Sequence, residues 1–106
     1  MDYRLEGRGD AVVLAVDGRV DESSWEAFGE GLSEAIGQAR NAGLDRVIVD
    51  LTHLDYMSSR GLRALTVAKR EGEEHGVMMS LASPNETMRE ILAISRYDKL
   101  FMISGS

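Results

Sequence analysis

The sequence predicts an α/β domain, a mixed sheet of about four to five strands flanked by helices in the order β-β-α-β-α-β-α-β. Three observations point there. Short apolar runs rich in branched residues recur at Ala11–Val16, Val47–Val49 and Val77–Ala82, each too short for a helix. Longer stretches between them repeat their apolar residues every three or four positions, and those stretches open on helix-capping residues. With 106 residues, 43% hydrophobic and 28% charged, the chain reads as one domain over 1–106 with a single core.

The elements follow in order. Tyr3 and Leu5 alternate with charged neighbours, and Gly7-Arg8-Gly9-Asp10 separates them from Ala11–Val16, which predicts a hairpin whose first strand is an edge. Ser23 with Glu26 three residues on forms a capping box. Trp25, Phe28, Leu32, Ala35, Ile36 and Ala39 then share a stripe that ends near Asn41-Ala42-Gly43. Val47-Ile48-Val49 has the continuous apolar character of a central strand covered on both faces, with Asp50 at its exit. Ser58 or Ser59 caps a second helix carrying Leu62, Leu65 and Ala68, closed by Gly76. After a strand over Val77–Ala82, Ser83-Pro84-Asn85-Glu86 combines a capping serine, a proline at the first helical position and a box glutamate. Met88, Ile91 and Leu92 continue that third helix, Leu100–Ile103 forms a last strand, and Gly105-Ser106 is a frayed end.

Charge and composition exclude several function classes. A formal net charge of -6 opposes binding to a phosphate backbone. The absence of cysteine removes thiol catalysis and thiolate metal sites and fits a reducing cytoplasm. No apolar stretch approaches a signal peptide or the ~20 residues of a membrane span, so the expectation is a cytoplasmic chain with no membrane insertion.

The informative stretch is Val47–Leu65, where a buried strand runs into Leu54-Asp55-Tyr56-Met57-Ser58-Ser59-Arg60-Gly61 and then a helix; ligands of open α/β sheets gather at such strand ends. A hydroxyl at a helix start lies beside unpaired backbone N–H groups and the positive end of the helix dipole, where an added anion is favoured. On local chemistry alone the two serines read first as a helix cap. Enzyme readings are weaker. A serine hydrolase needs an activating base, yet His53 and His75 are the only histidines and no Gly-x-Ser-x-Gly surrounds Ser59. An aspartyl-phosphate switch at Asp50 needs an acidic pair at an early strand end to hold magnesium, and Asp17 stands alone beside Gly18. Asp45, Asp50 and Asp55 read as solvated carboxylates; no metal or cofactor is expected.

Asp50-Leu51-Thr52-His53-Leu54-Asp55-Tyr56-Met57-Ser58-Ser59-Arg60-Gly61-Leu62 resembles the signature of STAS domains, above all of bacterial anti-sigma-factor antagonists. In that family a strand ends in Asp-Leu, an aromatic–aliphatic pair follows, and Asp-Ser-Ser-Gly-Leu opens the helix. Ser58 takes the place of the Asp, Ser59 that of the phosphorylated Ser, Arg60 that of the second Ser, and Gly61 that of the Gly. Gly18-Arg19-Val20-Asp21 resembles the family's Gly-Glu-Leu-Asp before helix one, and Tyr97-Asp98-Lys99-Leu100-Phe101 its Leu-Asp-Lys-Leu-Phe. The family's C-terminal helix has no counterpart after Ile103, which implies a less covered stretch of sheet.

The resemblance implies a non-enzymatic switch. Unphosphorylated, the chain binds an anti-sigma factor that is itself a serine kinase and frees the sigma factor. Phosphate on Ser59 releases it, and a serine phosphatase resets it. The implied partner-binding set is Asp21, Met57, Ser58, Ser59, Arg60, Gly61 and Arg63, although Asp21 reads equally as a helix-start carboxylate and the arginines as ordinary exposed helix charges. The same resemblance allows a second class, an accessory subunit of a membrane transporter or an ABC ATPase; apart from the resemblance, a third and weaker class is a small serine-dependent hydrolase. The sequence carries no signal of oligomeric state.

Overall fold

Gly9 and Asp10 close the first hairpin in a two-residue loop, with Gly9 at φ +62, a conformation glycine adopts without steric cost. In the computed structural model, which describes residues 1–105, this hairpin joins β1 (Asp2–Arg8) to β2 (Ala11–Val20). There follow α1 (Trp25–Asn41), β3 (Arg46–Met57), α2 (Ser59–Glu74), β4 (Met78–Ala82), α3 (Glu86–Ile94), a 3-10 turn at Tyr97–Lys99 and β5 (Ile103–Ser104). The strands form one five-stranded sheet in the order β1-β2-β3-β4-β5, antiparallel only between β1 and β2. The mixed α/β architecture, the strand–helix alternation and the edge position of β1 are as the sequence predicts.

The core lies between helices and sheet. Val12, Leu14 and Val16 of β2, Val47 and Val49 of β3 and Leu81 of β4 share one face by the two-residue alternation of strands, and onto them pack Phe28, Leu32 and Ile36 of α1, Leu65 of α2 and Leu92 of α3. Ile48, on the opposite face, is only half-buried and stands outside this cluster, so the central strand is not covered equally on both sides as its apolar run predicts.

Beyond Asp50 the structure departs from the sequence reading. Asp50 is not a strand exit: β3 continues to Met57, paired with the lengthened end of β2. Two irregularities allow it. Ala15 and Asp17 pair with Asp50 and His53, and Gly18 and Arg19 with Leu54 and Tyr56, so β3 gains one residue over β2 at each step. At the first, Asp50 Oδ1 accepts from the Thr52 backbone N–H (3.0 Å) and hydroxyl (2.6 Å), a local turn that breaks the alternation. The last strand is also shorter than predicted, because Tyr97–Lys99 wind into a 3-10 turn, Tyr97 and Phe101 stack with centroids 6.3 Å apart, and pairing starts only at Ile103.

Two helix starts differ as well. The Ser23–Glu26 box does not form; Ser24 is the N-cap of α1, and the turn is organised by Asp21. At α3 the cap is Asn85 instead of Ser83, which sits at φ +54 outside the helix with Pro84. Asn85 Oδ1 accepts from Met88 N–H (2.9 Å) while its Nδ2 donates to the Leu54 carbonyl (2.8 Å). That carbonyl lies on the part of β3 that β4, paired only as far as Asp50, no longer reaches. Asn85→Ala is therefore expected to lose both a helix cap and a strand satisfier, about 1–2 kcal/mol, read as a lowered urea midpoint at unchanged slope. An unshifted midpoint would contradict this. Of the end read as frayed, Ser106 lies outside the described residues, and the Gly105 carbonyl accepts from the Arg89 guanidinium at 2.9 Å.

Candidate functional site

The end of β3 delivers Met57 beside Val20, the last residue of β2, and the Ser58 N–H donates to the Val20 carbonyl at 2.8 Å. The chain turns into α2 there. Ser58 is extended (φ -75, ψ 171) and is the N-cap: its Oγ accepts from the Gly61 N–H at 3.3 Å and its carbonyl from the Leu62 N–H at 3.0 Å. Only 8% of Ser58 is exposed. Ser59, the first residue of α2, is exposed at the start of the helix, whose first turn carries no acidic side chain. Adjacent serines thus have opposite surroundings, one enclosed by its capping contact and one open to solvent.

Gly61 makes this turn possible. A Cβ at position 61 would stand 2.6 Å from Met57 Cγ and 2.7 Å from Val20 Cγ1, so only glycine lets α2 start this close to the strand ends. Met57, 2% exposed, and Gly61 lie beneath the surface, and their part is to set the height and angle of the helix. The arginines are on top. Arg60 Nε lies 3.6 Å from Glu22 Oε2, and its guanidinium is over the Trp25 ring at 5.3 Å from the centroid. Arg63 is exposed on the next turn. With both partners mostly in solvent, the Arg60–Glu22 pair orients more than it stabilises.

Asp21 lies across the strand ends from Ser58, one residue after Val20. Its Oδ1 accepts from the Ser23 hydroxyl (2.8 Å) and the Ser23 N–H (3.0 Å), the single Ser24 hydroxyl proton is shared between it (3.2 Å) and the Arg19 carbonyl (2.9 Å), and the Asp21 carbonyl accepts from Ser24 and Trp25 N–H groups. Donation by the Ser23 side chain, then by its backbone, holds the Asp21 carboxyl below the usual carboxylate range. A depressed folded-state value stabilises the turn above the unfolded value and loses that support as pH falls through the folded one. The acid titration seen at the Ser23 amide by NMR is accordingly expected to have its midpoint below about 3.9, the ordinary aspartate value, and to vanish in Asp21→Asn. A midpoint at or above that value would overturn the assignment.

Sequence reasoning did not single out Val20, Glu22, Ser24 or Trp25 for this site. Trp25 counted as a core residue of the α1 stripe, yet it is half-exposed at the helix start beneath Arg60. A tryptophan directly after the polar run Asp21-Glu22-Ser23-Ser24 was the available signal. Among the described residues no group of three or more His, Asp or Glu is placed to hold a metal, and no helix is long and apolar enough to cross a membrane.

Against known proteins, the family model described as the STAS domain matches residues 2–106. BtrV, a candidate anti-sigma factor antagonist of Bordetella bronchiseptica, is 35% identical over 81 residues, covering 76% of this chain and 69% of BtrV. A STAS-domain containing protein of Pseudomonas aeruginosa is 28% identical over 96 residues, covering 91% of this chain and 90% of that protein. Among solved structures, the anti-sigma factor antagonist SpoIIAA in its unphosphorylated form superposes with a TM-score of 0.76 at 24% identity, over 96% of this chain and 87% of SpoIIAA. The Bacillus cell-fate determinant SpoIIAA in its phosphorylated form superposes with a TM-score of 0.67 at 25% identity, over 96% of this chain and 90% of that one.

Proposed function

The chain belongs to the STAS-domain family, and from that membership we propose that it is an anti-sigma-factor antagonist switched by phosphate on Ser59. The likeness to BtrV supports the antagonist assignment, and SpoIIAA, known in both unphosphorylated and phosphorylated forms, supports a phosphate switch on this fold. The observation that carries the choice of residue is the contrast at the start of α2: Ser59 is open to a kinase, whereas Ser58 is enclosed and its oxygen is committed to the Gly61 N–H.

Unphosphorylated, the surface around Ser59 docks on an anti-sigma factor, itself the serine kinase, and releases the sigma factor. Phosphorylation adds about -1.5 to -2 charges at the first position of α2. The helix N-terminus favours an anion, and no carboxylate in the first turn opposes it, so the fold persists while the interface gains a charge it must desolvate. Arg63, four residues on and on the same helix face as Ser59, is placed to neutralise part of that charge. A serine phosphatase restores the binding form. Ser58 in place of the family Asp removes a negative charge beside the acceptor and Arg60 adds a positive one, which shifts kinase preference away from family members that keep the acidic residue. The deciding measurement is calorimetric titration of the cognate anti-sigma factor, sought first among neighbouring genes, with Ser59→Ala and Ser59→Asp chains. Equal affinities for the two defeat the reading.

A further inference from the structure

Helices α1 and α2 leave the same ends of two adjacent parallel strands and so run side by side in the same direction, with their starts together. Between their outer faces lies a groove of about 980 Å³. Trp25, Gly29, Ala64 and Val67 supply its apolar lining, and Val67, 58% exposed, is one of the few large apolar side chains this chain leaves in solvent.

The charges around this lining are not mixed at random. Glu26, Glu30 and Glu34 follow one another at four-residue spacing along the α1 wall, and none of the three forms an ion pair among the described residues. Glu34 accepts the Tyr3 hydroxyl at 3.0 Å through one oxygen and retains the other. At the far end Glu71 of α2 joins the acidic wall, while the arginines Arg60 and Arg63 line only the end where the helices begin. The groove is thus apolar along its floor, acidic along one wall and the far end, and cationic at one corner.

We propose that this groove docks a basic amphipathic helix of a partner protein. Its walls are helices whose backbone groups are already paired, so an extended segment would find no strand edge to join, whereas a helix can seat apolar residues at i, i+3, i+4 and i+7 against Trp25, Ala64 and Val67. From Trp25 to Glu34 the groove runs about 14 Å, two and a half helical turns. Lysines or arginines flanking that apolar stripe meet Glu30, Glu34 and Glu71, and an acidic residue at its end meets Arg60 and Arg63. A second copy of this chain is the wrong occupant, since its net charge of -6 repels an acidic groove. The groove is built without Ser59, although its cationic end shares Trp25, Arg60 and Arg63 with the surface around that residue.

Trp25 is the only tryptophan in the chain, so its emission reports the groove directly. The probes are two helical peptides of about 18 residues with the same leucine stripe, one flanked by lysines and one by glutamates. The lysine peptide is expected to shift Trp25 emission saturably, and to bind the Glu30→Lys/Glu34→Lys chain on the order of ten-fold more weakly. The glutamate peptide should bind that double variant better than the native chain. Glu86→Lys/Glu90→Lys, the same charge change placed on α3, should leave the affinity within about two-fold, which separates groove binding from general attraction to an acidic protein. Equal binding of the two peptides, equal losses in the two double variants, or sedimentation showing that the native chain pairs with itself through Val67 would overturn the proposal. No anti-sigma factor is present in these titrations, so their outcome and that of the Ser59 experiment are read separately.

Discussion

Ser59→Asp is expected to bind the anti-sigma factor on the order of 100-fold more weakly than Ser59→Ala, a loss of roughly 2–3 kcal/mol from one unpaired charge brought into a packed interface. The alanine chain should bind throughout, whatever the kinase activity of its partner. Neither substitution threatens the fold, because Ser59 is exposed and its side chain makes no hydrogen bond that would be lost. An aspartate at the first helical position is, if anything, favoured by the helix dipole by about 0.3–1 kcal/mol. Thermal unfolding of the two variants should therefore agree to within a few degrees while their titrations diverge. Should they bind alike, phosphate at this residue has no lever on the interface.

Gly61→Val is expected to cost about 3 kcal/mol or more and to lower the melting temperature by roughly 10–20 °C. Its Cβ alone would enter the space of Met57 Cγ and Val20 Cγ1, at 2.6 and 2.7 Å, and both neighbours are fixed in a core with no exposed route of retreat. Val20→Ala removes the nearer valine carbons, so combining the two should destabilise by less than the sum of the single changes. A melting temperature within a few degrees of the native chain would mean that α2 starts farther from the strand ends than the structure places it.

Where the fold was legible in the sequence, the signal was periodic. The stripe Trp25, Phe28, Leu32, Ala35, Ile36 and Ala39 and the run Val47–Val49 each encode burial over several residues, and the structure buries all of the stripe but Trp25, with Val47 and Val49 of the run. What the sequence did not show depends on single hydrogen bonds. Ser23 and Ser24 are equivalent by composition, and the choice between them is made by the Asp21 carboxylate and by the Ser24 hydroxyl, which donates to the Arg19 carbonyl at 2.9 Å. Ser83 and Asn85 are likewise both good caps, and Asn85 prevails because its amide also reaches Leu54, thirty-one residues away in sequence. The extension of β3 past Asp50 was hidden by the same cause, since two extra residues interrupt the alternation by which strands are recognised. At the site, the Ser-Ser-x-Gly spacing located the turn correctly; the opposite exposure of its two serines, and the tryptophan beneath Arg60, required the third dimension.

Those two extra residues fall where β3 runs on beyond the end of β4. Between Arg46 and Asp50, β3 is paired with a strand on each side, whereas from His53 onward β2 is its only strand neighbour and the Asn85 amide ties its other edge at Leu54. The aim of the helix that follows is therefore set at its own start, by the close approach of Gly61 to Met57 and Val20 and by the Ser58 N–H on the Val20 carbonyl, and not by pairing on both edges of the strand that leads into it.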